Sequence, residues 1–372
     1  MMGNPHRPLQ LLVDFAEQII SLWRRCLEEA YWDPVKYLIS LVSFTFQLNT
    51  TSVAPFVIPN LTIVCQTTMR SLAEWRHKLP EGDLLQNEEY SFLEQHIDTA
   101  QILSLLYSSA LSCVTWIMDA NSAYEPQVML FWRLMSLDSV MLLLTPGQKP
   151  EDVVAMLDLL ATSSLPDSVG PITEDADVDS VAKNVIERVC AKLTETPRCA
   201  ATPSEKRAIR SAALKTMIAF SKHPFGASQL AVHNNAFPRL VTCLSDAIDD
   251  LYDQPIPSTI LPQPEDEAEQ QPAPPSASTD LYKIIAQCVN LMHFLVTDPA
   301  TANKVETSQK LSVYFASSHR HMIALARLTF AEEDGVIEAG IDSEVVELAH
   351  EMLELAVTPD DGPNIEDAFG GT

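Results

Sequence analysis

Apolar residues recur along most of the chain at the three- and four-residue spacing of an α-helix. The first run indicates one apolar face of a long N-terminal helix, formed by Leu12, Ala16, Ile19, Trp23, Leu27 and Ala30. Asp33 and Pro34 then predict an N-cap followed by proline at the first helical position, which starts a second helix. Around Phe44 the apolar positions alternate as in a strand, but the cap and the lack of a pairing partner favour a helix.

The same periodicity predicts helices along the rest of the chain. The clearest start is Thr202-Pro203-Ser204-Glu205, where Thr202 and Glu205 predict a capping box. The longest late segment is expected to break near Ser317-Ser318. The predicted helices cover about 60–79, 98–119, 126–144, 150–164, 177–196, 203–222, 234–253, 280–297, 299–330 and 341–357.

About a dozen helices joined by short connections, without alternating strands, predict an all-α fold. Helices stacked in antiparallel pairs would form an α-solenoid of the HEAT or armadillo kind. No fixed period is visible, because the helix starts fall at unequal intervals, so the solenoid is expected to be irregular. The chain has only 10 glycines, which disfavours turn-rich β folds and phosphate-binding loops.

One segment divides this pattern. Residues 255–278 contain seven prolines and four acidic residues but no Lys or Arg, and such a composition predicts a disordered linker. We therefore expect a main helical-repeat region at 1–254 and C-terminal repeats at 279–372. The last part, 331–372, is an acidic tail with 13 acidic residues and no Lys or Arg.

Charge and cysteine usage narrow the class of protein. With 24 basic and 50 acidic residues the net charge is −26, which disfavours a protein that coats nucleic acid or an anionic membrane. The seven cysteines are odd in number, lack CxxC spacing and mostly lie in apolar runs, so we expect buried, reduced thiols in a cytosolic or nuclear protein. The N-terminus shows no secretory signal pattern.

A membrane span is the alternative for one segment. Thr99–Met118 has no charged residue and would be about 30 Å long as a helix, enough to cross a bilayer. Its polar serines, and the absence of Lys or Arg close to either end, favour a buried helix instead.

Candidate chemistry is sparse, and we predict no catalytic, metal-binding or cofactor-binding residue. Glu-x-x-His occurs at Glu74–His77 and Glu347–His350, at about the frequency expected by chance, and His350 is expected to face solvent. His319-Arg320-His321 is expected to lie in a loop or on a helix surface. Ser228-Gln229 and Ser308-Gln309 match the minimal target of DNA-damage-response kinases, which is also expected about once by chance.

The most suggestive chemical motif is acidic. Asp249, Asp250 and Asp253 form a DDxxD pattern that resembles the magnesium–diphosphate site of terpene synthases. A second metal motif is missing, the Pro-rich segment follows at once, and aromatic residues make up only 7% of the chain. An acidic helix end is therefore favoured over an enzyme.

Several stretches resemble the C-terminal helical region of fungal ATR-interacting proteins, the partner subunits of the DNA-damage checkpoint kinase ATR. They are packing and turn patterns, and their joint order carries the resemblance. They are TTSVAPFVIPNLTIVCQTT (50–68), FWRLMSLDSVMLLL (131–144), MLDLLATSSLPDSVGPI (156–172), HPFGASQLAVHNNAFPRLVTCLSDAIDDLYD (223–253) and ELAVTPDD (354–361).

The resemblance implies a nuclear, non-enzymatic HEAT-like scaffold that binds the kinase and supports its recruitment to single-stranded DNA coated by replication protein A. Family members also carry an N-terminal acidic recruitment motif and a coiled coil, and neither is seen in this sequence. Direct recruitment by replication protein A and coiled-coil dimerisation are therefore left open for this chain, because family members use those N-terminal segments for them. A generic α-solenoid adaptor in transport or complex assembly is the alternative function.

The last predicted helix offers candidate partner-binding residues. Ile341, Val345, Leu348, Met352 and Leu355 form its expected buried stripe, and its outer face carries Glu344, Glu347, Glu351 and Glu354. This acidic face is either a polar cap that ends the solenoid or a surface that meets a basic region of the kinase.

Overall fold

The computed structural model is almost wholly helical in the part of the chain that it describes, namely residues 7–115, 127–174, 177–199, 201–253, 277–313, 317–330, 335–338 and 340–356. The chain divides into two units. Unit 1 comprises residues 1–189 and 195–229, and unit 2 comprises residues 190–194 and 230–372. Of the predicted linker, residues 255–276 lie outside the described residues, while 277 and 278 already belong to a helix.

The first eleven helices run to residue 232. In chain order these eleven helices are α1 Arg7–Glu28, α2 Val35–Lys78, α3 Glu81–Leu84, α4 Glu88–His96, α5 Thr99–Thr115, α6 Gln127–Leu134, α7 Leu137–Leu143, α8 Pro150–Ala161, α9 Val178–Ala191, α10 Pro203–Ser221 and α11 Pro224–Val232. Most of them match a predicted segment, but α3, α4, α7 and α11 were not predicted as separate helices.

Helix α2 is the central helix of unit 1 and packs against α1, α4, α5, α6 and α7. Asn49 leaves the helical conformation and kinks α2, and its side chain accepts a hydrogen bond from the Ser52 amide at 3.1 Å, as an N-cap does. The ambiguous segment around Phe44 is helical, as favoured. The N-cap prediction for Asp33 is wrong, because α2 starts after Pro34 without a side-chain cap and Asp33 instead pairs with His96.

A buried glutamine explains why the predicted helix 126–144 is two helices. The chain leaves the helix between α6 and α7, which frees backbone groups on either side of the break. Gln66 of α2 donates to the Leu134 carbonyl at 2.9 Å and accepts from the Ser136 amide at 2.7 Å. One side chain therefore satisfies both ends of the break.

The capping box that starts α10 is confirmed. The Glu205 amide donates to Thr202 Oγ1, and the Thr202 amide donates to the Glu205 carboxylate at 2.7 Å. Helix α10 packs against α8, and Thr216 Oγ1 donates to the Leu157 carbonyl across that contact. This pair shows the helix-on-helix packing that the apolar periodicity predicted.

A minimal sheet follows α8 and was not predicted. Strands β1 (Ser164–Leu165) and β2 (Ser168–Val169) pair antiparallel, and they are the only strands in the described ranges. Gly170 follows with φ +83°, and a Cβ there would meet the Val185 side chain at 2.7 Å. Each strand has only two residues, which is too short for an alternation of apolar and polar residues, so the sequence pattern does not predict this hairpin.

In unit 2, α12 (Ala236–Tyr252) packs against α13 (Ala277–Thr297) and α16 (Ser317–Thr329). Helix α18 (Ser343–Ala356) packs against both α13 and α16. The predicted helix 299–330 is interrupted at Glu306, which adopts a left-handed conformation with φ 45°. The break expected near Ser317-Ser318 adjoins residues 314–316, which lie outside the described residues, and a described helix begins at Ser317. The helices are α12 Ala236–Tyr252, α13 Ala277–Thr297, α14 Ala302–Val305, α15 Thr307–Val313, α16 Ser317–Thr329, α17 Gly335–Glu338 and α18 Ser343–Ala356.

Among the described helices, α2 is long and apolar enough to cross a membrane by length and composition alone. Helices α4 and α5, which are bent by 44° relative to each other, pass the same test only if they count as one span. In the protein these helices pack against one another and against α6 and α8. Ile102, Leu103, Leu106 and Ala110 of α5 are fully buried, so the favoured interpretation of this segment as a core helix fits the packing. Six of the seven cysteines are buried as predicted, and Cys199 is half-buried.

Candidate interaction surfaces

A buried ion network lies where α2, α4 and α8 meet. Arg76 of α2 donates through Nη1 to Asp152 Oδ2 of α8 at 2.7 Å and through Nε to the Tyr90 hydroxyl of α4 at 3.1 Å. Tyr90 donates to Glu94 Oε1 at 2.7 Å, and Thr99 donates to Asp152 Oδ2 at 2.6 Å. The sequence pattern did not reveal this network, because its members are up to 76 residues apart.

The electrostatics of the network favour its charged form. Burial acts to lower the pKa of Arg76, but the Tyr90 hydrogen bond and the charges of Asp152 and Glu94 outweigh it and raise that pKa. Burial acts to raise the pKa of Glu94, but hydrogen bonds from Lys149 and Tyr90 hold it below its usual value. The arrangement is a structural ion network.

Beside the network is a cleft of about 550 Å³ in unit 1. Its walls carry charges of both signs, including Lys36, Lys149, Glu94 and Glu151, and Tyr37 lies at its edge. Lys149 Nζ lies 2.9 Å from Glu94 Oε1, so part of the charge is already neutralised.

The predicted acidic face is present on α18. Glu344, Glu347, Glu351 and Glu354 are all exposed. Glu351 Oε2 lies 2.7 Å from His293 Nε2, and Glu354 Oε1 lies 3.2 Å from His350 Nε2. Glu344 and Glu347 form no ion pair with any described residue, so they are the part of the face that remains open to a partner.

The buried side of α18 differs in one position from the prediction. Ile341, Val345 and Met352 are buried as expected and Leu348 is half-buried, but Leu355 is 66% exposed. Leu355 lies in the last turn of α18 and borders a cavity of about 430 Å³ in unit 2, which Val296 of α13 and His321 of α16 also line. His350 faces solvent as predicted, with 54% of its side chain exposed.

The DDxxD residues occupy an ordinary helix end. Asp249 forms an ion pair with Arg327 of α16, and the Arg327 guanidinium lies 4.6 Å from the ring centroid of Tyr252. Asp253 is the residue that follows the last turn of α12. Within the described residues the three carboxylates are not gathered at the spacing of metal ligands. Their positions fit the preferred interpretation as a structural helix.

The remaining motif residues have contrasting surroundings. The surface prediction for His321 is wrong: it is buried in α16 against Phe237, burial lowers its pKa to about 4, and its Nε2 has no hydrogen-bond partner among the described residues. His319 is exposed. Ser308 is exposed on α15, whereas Ser228 is half-buried on α11. Of the serines in the two Ser-Gln dipeptides, only Ser308 is therefore exposed to solvent.

Two profiles of one protein family match the chain: "Rad26-like, helical repeats" over residues 64–296 and "Rad26-like, C-terminal domain" over residues 305–369. The chain is also similar to the crystal structure of Myceliophthora thermophila Rad26 (residues 373–841), with a TM-score of 0.83 and 41% sequence identity. That match covers 96% of this chain and 90% of the other. Comparison with curated protein sequences gives no significant match. The likeness confirms the predicted all-α helical-repeat fold.

Proposed function

Because the chain belongs to the Rad26-like family, we propose that it is a non-enzymatic scaffold subunit that binds an ATR-type DNA-damage checkpoint kinase and supports its activation in the nucleus. The observation that carries the proposal is the likeness to Rad26, which extends over almost the whole chain at 41% identity. A match of this extent covers both units and is not confined to a few packing motifs. The family is a regulatory partner of the checkpoint kinase, and the helical-repeat fold fits that role.

We place one kinase contact on the acidic face of α18. Glu344 and Glu347 are exposed and lie on neighbouring turns of one helix, and the like charges repel each other mildly. A basic surface on the kinase would relieve that repulsion. Such a contact at the rim of an interface contributes mainly to the association rate.

Affinity purification of the native protein tests the proposal. We expect mass spectrometry to identify an ATR-type kinase as the main stoichiometric partner, and its yield to persist after nuclease treatment, because the contact is between proteins. A tagged α-solenoid adaptor of transport is the control for non-specific capture. Recovery of transport or assembly factors without the kinase would favour the adaptor function and contradict the proposal.

A further inference from the structure

The first half of α2 exposes a row of large apolar side chains. Tyr37, Leu41, Phe44 and Leu48, here called the α2 stripe, follow one another at intervals of four, three and four residues. Between 41% and 63% of each residue is exposed. The opposite side of the same helix segment is buried within unit 1 and contributes Leu38, Ile39, Val42 and Phe46.

A helix that is apolar on both sides is normally covered on both sides. Exposed single apolar residues are common, but four in one row form a contiguous patch, which is typical of an interaction site. Among the described residues nothing covers the stripe. Packing within unit 1 therefore does not account for this exposed apolar face.

Charge sets the α2 stripe apart from the rest of the chain. The protein has 50 acidic residues, yet none lies between Asp33 and Glu74. At the start of the stripe Lys36 is exposed, and its ammonium lies 5.1 Å from the ring centroid of Tyr37. No carboxylate among the described residues pairs with Lys36. The stripe is thus apolar along its length and has an exposed lysine at one end, beside a cleft whose walls also carry Glu94, Asp98 and Glu151.

The spacing of the stripe specifies the shape of its occupant. Apolar residues at alternating intervals of four and three form the seam on which a second helix packs. Four side chains of this size, each about half exposed, offer roughly 400 Å², whereas a stable interface buries about 800 Å² on each partner. The stripe alone is therefore too small for a stable dimer of this chain and fits one helix of a larger partner surface.

We propose that the α2 stripe docks an amphipathic helix of the kinase partner, with the apolar face of that helix on Leu41 and Phe44 and an acidic residue near its end at Lys36. This inference rests on the proposed function, because it names a binding surface for the same partner. The cleft that Lys36 and Tyr37 border lies at the same end and accommodates the polar terminus of the docked helix. The stripe is the hydrophobic anchor, and the acidic face of α18 is a separate, electrostatic contact.

Binding of the purified chain to the purified ATR-type kinase, measured by biolayer interferometry, tests the inference. The variant Leu41→Glu with Phe44→Glu should weaken the affinity by at least about tenfold, because it places charge at the centre of an apolar contact. The matched control is Val313→Glu with Phe330→Glu, two exposed apolar residues of unit 2, and should bind like the wild type. Circular dichroism should give the same helix content for all three proteins.

The remaining outcomes distinguish the occupants. If the wild-type chain fails to bind the kinase, the proposed function fails; if it binds and the stripe variant binds equally well, the inference alone is wrong. A dimer in analytical ultracentrifugation that the stripe variant abolishes, with kinase binding intact, would assign the stripe to a second copy. Stripe-dependent flotation with phosphatidylcholine vesicles would assign it to a membrane, and either result overturns the inference.

Discussion

The Arg76 guanidinium lies 2.7 Å from Asp152 Oδ2, and both side chains are almost completely buried. This pair joins α2 to α8 across 76 residues of sequence. Taking two charges out of water costs several kcal/mol, and the hydrogen bonds of Tyr90 and Thr99 to the same groups offset that cost. The pair therefore fixes how the helices of unit 1 meet, and it is stable only while both partners are present.

Removing one partner of this pair should destabilise the protein strongly. Arg76→Met leaves the Asp152 carboxylate buried without its cation, and we expect a loss of about 3 to 5 kcal/mol in the free energy of unfolding. Urea denaturation followed by circular dichroism measures it. The double variant Arg76→Met with Asp152→Leu should recover a large part of the loss, because no uncompensated charge remains. A double variant as unstable as the sum of the two single variants would show that the pair is not coupled.

Gln66 should stabilise the protein through its hydrogen bonds to two backbone groups. Gln66→Leu keeps the size and burial of the side chain but leaves the Leu134 carbonyl and the Ser136 amide without their partner, so we expect a loss of about 2 kcal/mol or more. Hydrogen exchange at the Ser136 amide should also accelerate. Gln47→Leu, an exposed change on the same helix, is the control and should alter neither quantity. Unchanged exchange at Ser136 would contradict the role assigned to Gln66.

These residues show which parts of the structure a sequence can predict. The cap at Thr202 and the spacing of apolar residues act within one or two turns of helix, so the positions of α8, α10 and α12 were predictable. The break between α6 and α7 depends on Gln66, and the network at Arg76 depends on Asp152, each contributed by a distant helix. Likewise the burial of His321 depends on Phe237, which lies 84 positions earlier in the sequence. Long-range contacts of this kind leave no local pattern.

The capping box at α10 should make a pH-dependent contribution to stability. The hydrogen bonds from the Thr202 amide and hydroxyl lower the pKa of Glu205. A group whose pKa is lowered on folding stabilises the protein above its unfolded pKa, and the stabilisation is lost as the pH falls through the folded pKa. Glu205→Gln should therefore be less stable than the wild type at pH 7 and nearly equal to it at pH 3. A stability difference between Glu205→Gln and the wild type that stays the same from pH 7 to pH 3 would contradict this role of Glu205.

The DDxxD residues should behave as a helix end and not as a metal site. Changing Asp249, Asp250 and Asp253 to Asn breaks the exposed ion pair with Arg327, which should cost less than about 1 kcal/mol. Millimolar magnesium should leave the melting temperature of both proteins unchanged in differential scanning fluorimetry. A magnesium-dependent rise in the melting temperature of the wild type, lost in the variant, would instead support the diphosphate-enzyme alternative.

The acidic face of α18 should act on the rate of kinase binding. Glu344→Lys with Glu347→Lys reverses two exposed charges that form no ion pair with described residues, so the melting temperature should change little. Association with the kinase should slow, most strongly at low salt, because screening removes the difference as ionic strength rises. Stopped-flow measurements at two salt concentrations check this. An equal association rate at low salt would leave the face as a polar cap of the helical repeats.

The proposed function requires that this chain bind an ATR-type kinase directly. The most direct measurement is size-exclusion chromatography with multi-angle light scattering on a mixture of the purified chain and the purified kinase. We expect a single complex whose mass exceeds that of the kinase by one chain for each kinase subunit. Separate elution of the two proteins at micromolar concentration, with the chain folded by circular dichroism, would contradict it.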